Sequence, residues 1–329
     1  MYIIENYLHF LKIHGIIKVQ RGMMTMGVKD TITKEYMQNA EIFADAFNFL
    51  MYGGEQVIQP ECLHELDTSA IALPYGDDDV SEPVQKARDV LKSATMMADD
   101  NAAYLILGIE NQTDVHYAMP ARNMLYDAIQ YAKQISDAAK SHKNAKNTGE
   151  SKEEYLSGFY RTDKLLPVVT LVVYFGANEW DAPRSIHDMM LVKDERILAY
   201  APDYKINLIA PNELTDEEMA KFRTDLRAVL KYIKYSKDKE KLMTALHEDI
   251  IFRSVSRSTA EVINIVTNST LTFDKKEESI DMCKAIEDIK ADGIAEGKAE
   301  GIAEAIRNLM ESLKIDEEKA KELLGIPQA

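Results

Sequence analysis

LILGIENQTDVHYAMPARNMLYD (Leu105–Asp127) is the stretch on which the fold turns. An apolar run, Leu105–Ile109, stops at Glu110, Asn111 and Gln112, and a helical pattern opened by Pro120 follows at once. Proline suits the first turn of a helix, where its missing N–H has no partner to lose. Side chains two apart on a strand share a face, so Glu110 and Gln112 stand side by side where the strand ends. A buried strand running directly into a helix is the grammar of a layered sheet protein.

Upstream, RDVLKSATMMADDNAAYLILGIENQ (88–112) reads as two strands joined by a polar turn at Asp99–Asn101, although VLKSATMMA also admits a helix. Downstream, LLPVVTLVVYFG (165–176) predicts a second buried strand and KINLIAP (205–211) a third, with SHKNAKNTGESKEE (141–154) a polar loop between helix and strand. Residues 34–52 predict a helix stopped by Gly53-Gly54, with Tyr36, Ala40, Phe43, Ala44, Phe47 and Leu50 at helical spacing. Residues 55–73 are ambiguous, and 74–83 read as a loop. Residues 212–242 predict one long helix, acidic at its start and basic at its end as the helix dipole favours. Alternating helices and strands give an α/β sheet domain.

The chain has 329 residues, 46% hydrophobic and 29% charged, enough for a sheet domain with an appendage. A net charge of −16 argues against a surface that attracts nucleic acid everywhere, though not against a local basic patch. The two cysteines, Cys62 and Cys283, are far apart and suggest neither a disulfide framework nor a Cys-based zinc site, which places the chain in a reducing cytoplasm. The histidines show no paired metal spacing and read as surface or core residues. The N-terminal MYIIENYLHFLKIHGIIK carries Glu5, His9, Lys12 and His14, too many polar groups for a membrane span. Met23, Met24 and Met26 follow, so an over-extended start over 1–25 is one reading. From 243 to 329 only helical patterns are visible, including a Gly-x-Ala-Glu repeat over 292–305 and a last helix with Asp316 as N-cap and Gly325 as stop. Residues 274–329 hold nine basic and fifteen acidic residues. The repeat reads as a helical connector or as a self-association face through which the chain forms a homo-oligomer. The organisation expected is a sheet domain over 26–242 and a helical C-terminal region over 243–329.

Glu110 needs partners to be more than a strand end. Asp89, at the head of the first strand of the pair, and Asp45, beside the apolar stripe of the 34–52 helix, are the candidates. Carboxylates converging on a sheet edge make a hard, oxygen-rich site that suits Mg²⁺ or Mn²⁺ and not zinc. Arg122 and Tyr126, neighbours at i,i+4, are candidates for holding a phosphate or bracing Glu110. Arg223, Arg227, Lys231 and Lys234 follow one face of the 221–241 segment and form a candidate phosphate-tracking stripe; Lys140, Lys143, Lys146 and Lys152 form a second candidate.

FADAFNFLMYGG, RDVLK, YLILGIENQTDVHYAMPARNMLYD and LLPVVTLVVYFGANEWDAP, with the glycine-periodic tail ending in LLGIP, resemble the recombination-promoting nuclease (Rpn) family of bacterial transposase-like proteins. That family lies within the PD-(D/E)XK nuclease superfamily, and the resemblance covers roughly residues 26–329. It implies a restriction-endonuclease-like α/β core, a mixed sheet flanked by helices, followed by a helical tail. It implies a Mg²⁺-dependent endonuclease of double-stranded DNA, linked to recombination or mobile elements. Carried over residue by residue, the motif aspartate is Asp89, the (D/E)-x-K pair is Glu110 and Gln112, and the helix acid is Asp45. Gln112 departs from the lysine usual in the superfamily; it can hydrogen-bond a water but brings no charge. The alternative is a nuclease fold that binds DNA or a partner with its chemistry weakened or lost; RNA as substrate is a third reading.

Overall fold

The two strands expected around Asp99–Asn101 form the middle of a five-stranded sheet. The structure is a computed structural model that describes residues 27–67, 69–72, 84–87, 89–98, 101–145, 149, 151–274 and 276–325. The readings of 1–25 and 74–83 lie outside the described residues.

Helices α1 (27–38) and α2 (Ala40–Tyr52) lead to β1 (Leu63–Glu65), a separate hairpin of β2 (Ser69–Ala72) and β3 (Val84–Ala87), and then β4 (Val90–Ala98) and β5 (Asn101–Gln112). The long helix α3 (Met119–Asn144) and short α4 (Lys152–Ser157) precede β6 (Val168–Tyr174). Two single turns, α5 (Ile186–Met189) and α6 (Glu195–Leu198), precede β7 (Asn207–Ile209). There follow α7 (Asp216–Met219), α8 (Leu226–Tyr235), α9 (Lys239–Glu248), α10 (Arg257–Thr267) between the two-residue strands β8 (Val255–Ser256) and β9 (Ser279–Ile280), then α11 (Met282–Leu313) and α12 (Glu317–Leu323).

The sheet runs β1-β4-β5-β6-β7. β4 is antiparallel to β1 and β5, whereas β6 is parallel to β5 and β7. The expected mixed sheet flanked by helices, with a helical C-terminal region, is the architecture observed. The parallel β5–β6 pair needs a crossover, which α3 supplies. Period two sorts the residues of β5. Leu105, Leu107 and Ile109 enter a large core with Phe43 and Phe47 of α2, Val229 and Ile233 of α8 and Val262 and Ile263 of α10. Ile106 faces the other way, with Leu91, Val168 and Tyr131 of α3. Leu107 and Ile109 are 0% exposed, so each contributes roughly 1.5–3 kcal/mol by its burial. Glu110 belongs to the α3 side of the sheet. The large core continues through Ile280 and Met282, so α10 and the first turn of α11 are buried with the sheet.

The long helices expected over 34–52 and 212–242 are each broken. Asn39 ends α1 and caps α2, its side chain accepting from the N–H groups of Glu41 and Ile42. Residues 212–242 divide into a 3₁₀ turn, α7, α8 and the start of α9, because the bend at Arg223–Asp225 is fixed by a tertiary partner described below. Gly53 takes the left-handed C-cap conformation expected of it (φ 60°). Gly54 has φ +98°, and a Cβ there would lie 2.8 Å from the Cβ of Lys221, so the end of α2 touches that bend only because this residue is glycine. In the tail the repeat and the segment after it form one 32-residue helix. A Cβ at Gly293, Gly297 or Gly301 would meet nothing within 4 Å among the described residues outside the helix itself. Among the described residues, no helix is long and apolar enough to cross a membrane.

Candidate functional site

The register of the sheet brings Asp89 to Glu110. Val90 pairs with Ile109 across the antiparallel β4–β5 ladder, which sets Asp89 beside the end of β5. Its Oδ2 accepts the N–H of Asn111 at 2.8 Å. Burial pushes the Asp89 carboxyl above the ordinary aspartate range, opposed by that hydrogen bond and by the charges of Arg122 and Lys34. Glu110 has a side chain 0% exposed, and its Oε2 lies 3.2 Å from the Arg122 guanidinium. Arg122 donates through Nε to the Tyr126 hydroxyl at 3.0 Å. Burial works against the charge of Arg122, but Glu110, Tyr126 and Asp89 outweigh it and raise its pKa. Burial, then the Glu110 charge, raises that of the Tyr126 phenol. Asp89, Glu110, Arg122 and Tyr126 thus form one electrostatic unit.

Helix α3 is aimed by its own brace. Asp127, 7% exposed, accepts from the Thr170 hydroxyl of β6 at 2.5 Å and from the Tyr204 hydroxyl at 2.6 Å. That pins the helix one residue past Tyr126 and fixes where Arg122 points. Gln112 is half-buried and donates through Nε2 to the Asn111 carbonyl at 2.9 Å. Its amide oxygen is the group suited to accept from a water.

The sequence reading gave no role here to four residues. Asp30 and Lys34, one turn apart on α1, both act on the Asp89 charge, and Asp30 accepts from Thr113 at 3.4 Å. Their i,i+4 spacing is legible in the sequence, but the apolar periodicity predicts a helix only from residue 34. His116 lies near Arg122; burial first, then Arg122, lowers its pKa, which favours the neutral imidazole. Asn123, fully buried next to Arg122 in α3, has neither amide atom hydrogen-bonded among the described residues. A buried unsatisfied amide calls for water or a bound group.

Two expectations meet a different arrangement. Asp45 is 1% exposed, but its carboxylate accepts the N–H groups of Arg223 and Thr224 and the Thr224 hydroxyl, at 2.6–3.0 Å. The structure sets it as an anion at the start of α8, where the dipole and free N–H groups favour it. The basic stripe is largely neutralised within the chain. Arg227 and Lys231 reach Asp249 at 2.6 and 2.9 Å, and Lys234 reaches Asp216 at 3.8 Å and the Leu214 carbonyl. Only Arg223 of the four is exposed. Periodicity showed these cations on one face but gave no sign of the acids waiting opposite.

Two carboxylates on one end of a sheet, with waters, match the way Mg²⁺ is held. Asp89, Glu110 and Asp30 do not bring ligand atoms within 4.8 Å of one another as a trio, so the protein contribution would be one or two carboxylates at a time.

Residues 30–261 match the family described as "Putative transposase, YhgA-like". No curated protein matches the chain. No solved structure matches it either. The match spans the sheet, the Asp89–Glu110 pair and helices α1 to α3, and the chain therefore belongs to the YhgA-like transposase family.

Proposed function

We propose that this protein is a divalent-metal-dependent DNA endonuclease serving the movement of genetic elements. The observation that carries the reading is the pairing of Asp89 and Glu110 at one sheet end, faced by Arg122 and Tyr126, in a chain of transposase family.

Asp89 and Glu110 would hold Mg²⁺, which when bound lowers the pKa of water and offsets charge on a phosphodiester. The remaining chemistry falls to the chain. Gln112 Oε1 accepts a hydrogen bond from the attacking water and aims its oxygen at phosphorus. Arg122 shares its guanidinium between Glu110 and a non-bridging phosphate oxygen, for which its planar fork of donors is suited. Lys34 supplies the positive charge that the glutamine in the motif lacks. Water attacks phosphorus and gives one proton to solvent, the P–O bond opposite breaks, and the leaving oxygen takes a proton from solvent.

A second reading is favoured by one arrangement: Gln112 donates a side-chain N–H to the neighbouring Asn111 carbonyl and Arg122 already faces Glu110, which a binding module with weakened chemistry would tolerate. Plasmid nicking with Mg²⁺, Mn²⁺ or EDTA separates the two. Metal-dependent nicking lost in both Glu110→Ala and Asp89→Ala supports the nuclease. Salt-dependent DNA retardation by wild-type protein that never cuts supports the binding module.

A further inference from the structure

We propose that His247, Cys283 and Glu287 form a zinc site that fastens the C-terminal helix α11 to the sheet domain. Nothing in the spacing of these residues announces it: the cysteine and histidine are 36 positions apart. Tertiary structure joins them. The last turn of α9 carries His247, and the first turn of α11 carries Cys283 with Glu287 one turn on. One ligand atom from each lies within 4.8 Å of the other two, the only such trio among the described residues.

The backbone beneath is held by other contacts. Leu246, beside His247, and Met282, beside Cys283, are each 0% exposed in the large core. Asp281 caps α11 by accepting from the N–H groups of Cys283 and Lys284. The ligands are thus presented by two anchored helix ends. Cys283 is 2% exposed, while His247 and Glu287 are open to solvent, so an ion can enter from outside.

The donor chemistry selects the metal. Thiolate, imidazole and carboxylate together are a zinc set, and a thiolate is a poor ligand for Mg²⁺. Bonds of about 2.3 Å to sulfur and about 2.05 Å to nitrogen at a tetrahedral angle separate the two atoms by about 3.6 Å. Cys283 Sγ and His247 Nδ1 now stand 3.1 Å apart, so binding opens the pair by about 0.5 Å, within reach of side-chain rotation. On binding, the Cys283 thiol gives its proton to solvent and the Sγ–Zn bond replaces S–H. Three protein ligands leave a fourth position for water or for a donor from another molecule.

The test uses the full chain, stripped by chelator and then dialysed against Zn²⁺ or Co²⁺. The expected result is one zinc per chain, a thiolate-to-cobalt charge-transfer band in the Co²⁺ form, and a rise in Tm. Cys283→Ser and His247→Ala should weaken zinc binding by roughly a hundredfold and abolish the band, and Glu287→Gln by about tenfold. Cys62→Ser should bind zinc as wild type does. His247 and Glu287 are exposed, so their variants report on the site even where Cys283→Ser folds poorly. Sub-stoichiometric zinc in the wild type, or zinc that survives His247→Ala and Glu287→Gln undiminished, would overturn the proposal.

Discussion

Replacing Arg122 by methionine removes the cation facing a fully buried carboxylate. At 3.2 Å and an effective dielectric constant near 20, the Coulomb attraction is about 5 kcal/mol before the desolvation of either group is counted. Stripping one partner from a buried pair costs about 3–5 kcal/mol. Arg122 is 35% exposed, so solvent already shares its charge, and we expect the low end, about 3 kcal/mol. Glu110→Gln should cost only about 1 kcal/mol, because the arginine left behind can turn to water. In the double variant the penalty of Arg122→Met should fall back below about 1.5 kcal/mol. Denaturant unfolding of the four proteins measures this directly. Repeating it with Mg²⁺ ties stability to the proposed chemistry. A cation at a hundred times its Kd adds about 2.7 kcal/mol, and the gain should be larger in Arg122→Met, where no guanidinium competes for Glu110. An Arg122→Met penalty under about 1 kcal/mol, or midpoints indifferent to saturating Mg²⁺, would refute the reasoning.

Asp45→Ala strands two backbone N–H groups and a hydroxyl at the start of α8 and should cost about 3 kcal/mol, while plasmid nicking per folded molecule stays at the wild-type level. Asp89→Asn should raise Tm at pH 7. Its carboxyl is raised by burial, so its contribution is present below the ordinary aspartate value of about 3.9 and lost as pH rises through the folded value; the gain from asparagine shrinks in acid, and metal-dependent cutting disappears at every pH. Asp249 behaves oppositely. Burial opposes its charge, but Lys231, the Ile251 N–H and Arg227 prevail and depress its pKa. Its stabilisation is therefore full above about 3.9 and lost as pH falls through the lower folded value, so wild type and Asp249→Asn should converge in acid urea titrations. Lys34→Met should lower the nicking rate by roughly tenfold or more with DNA retardation unchanged, as expected of a charge used in the reaction rather than in binding.

The sequence alone determined what depends on near neighbours. The apolar run Leu105–Ile109 and its stop at Glu110 placed the central strand, and the alternation of a strand placed Glu110 and Gln112 side by side. Pro120, Gly53 and Asp316 marked helix ends by backbone chemistry that operates within a few residues. Tertiary structure decided everything that depends on which distant group arrives opposite. Asp45 had the burial and charge of a site acid, yet the start of α8, some 178 residues on, claims it. The α8 cations looked free until Asp216 and Asp249 met them. His247 and Cys283 carry no spacing signal and become neighbours only because α9 and α11 end against the same core. Local pattern fixes which face a side chain takes; the partner on that face is fixed by how the chain closes on itself.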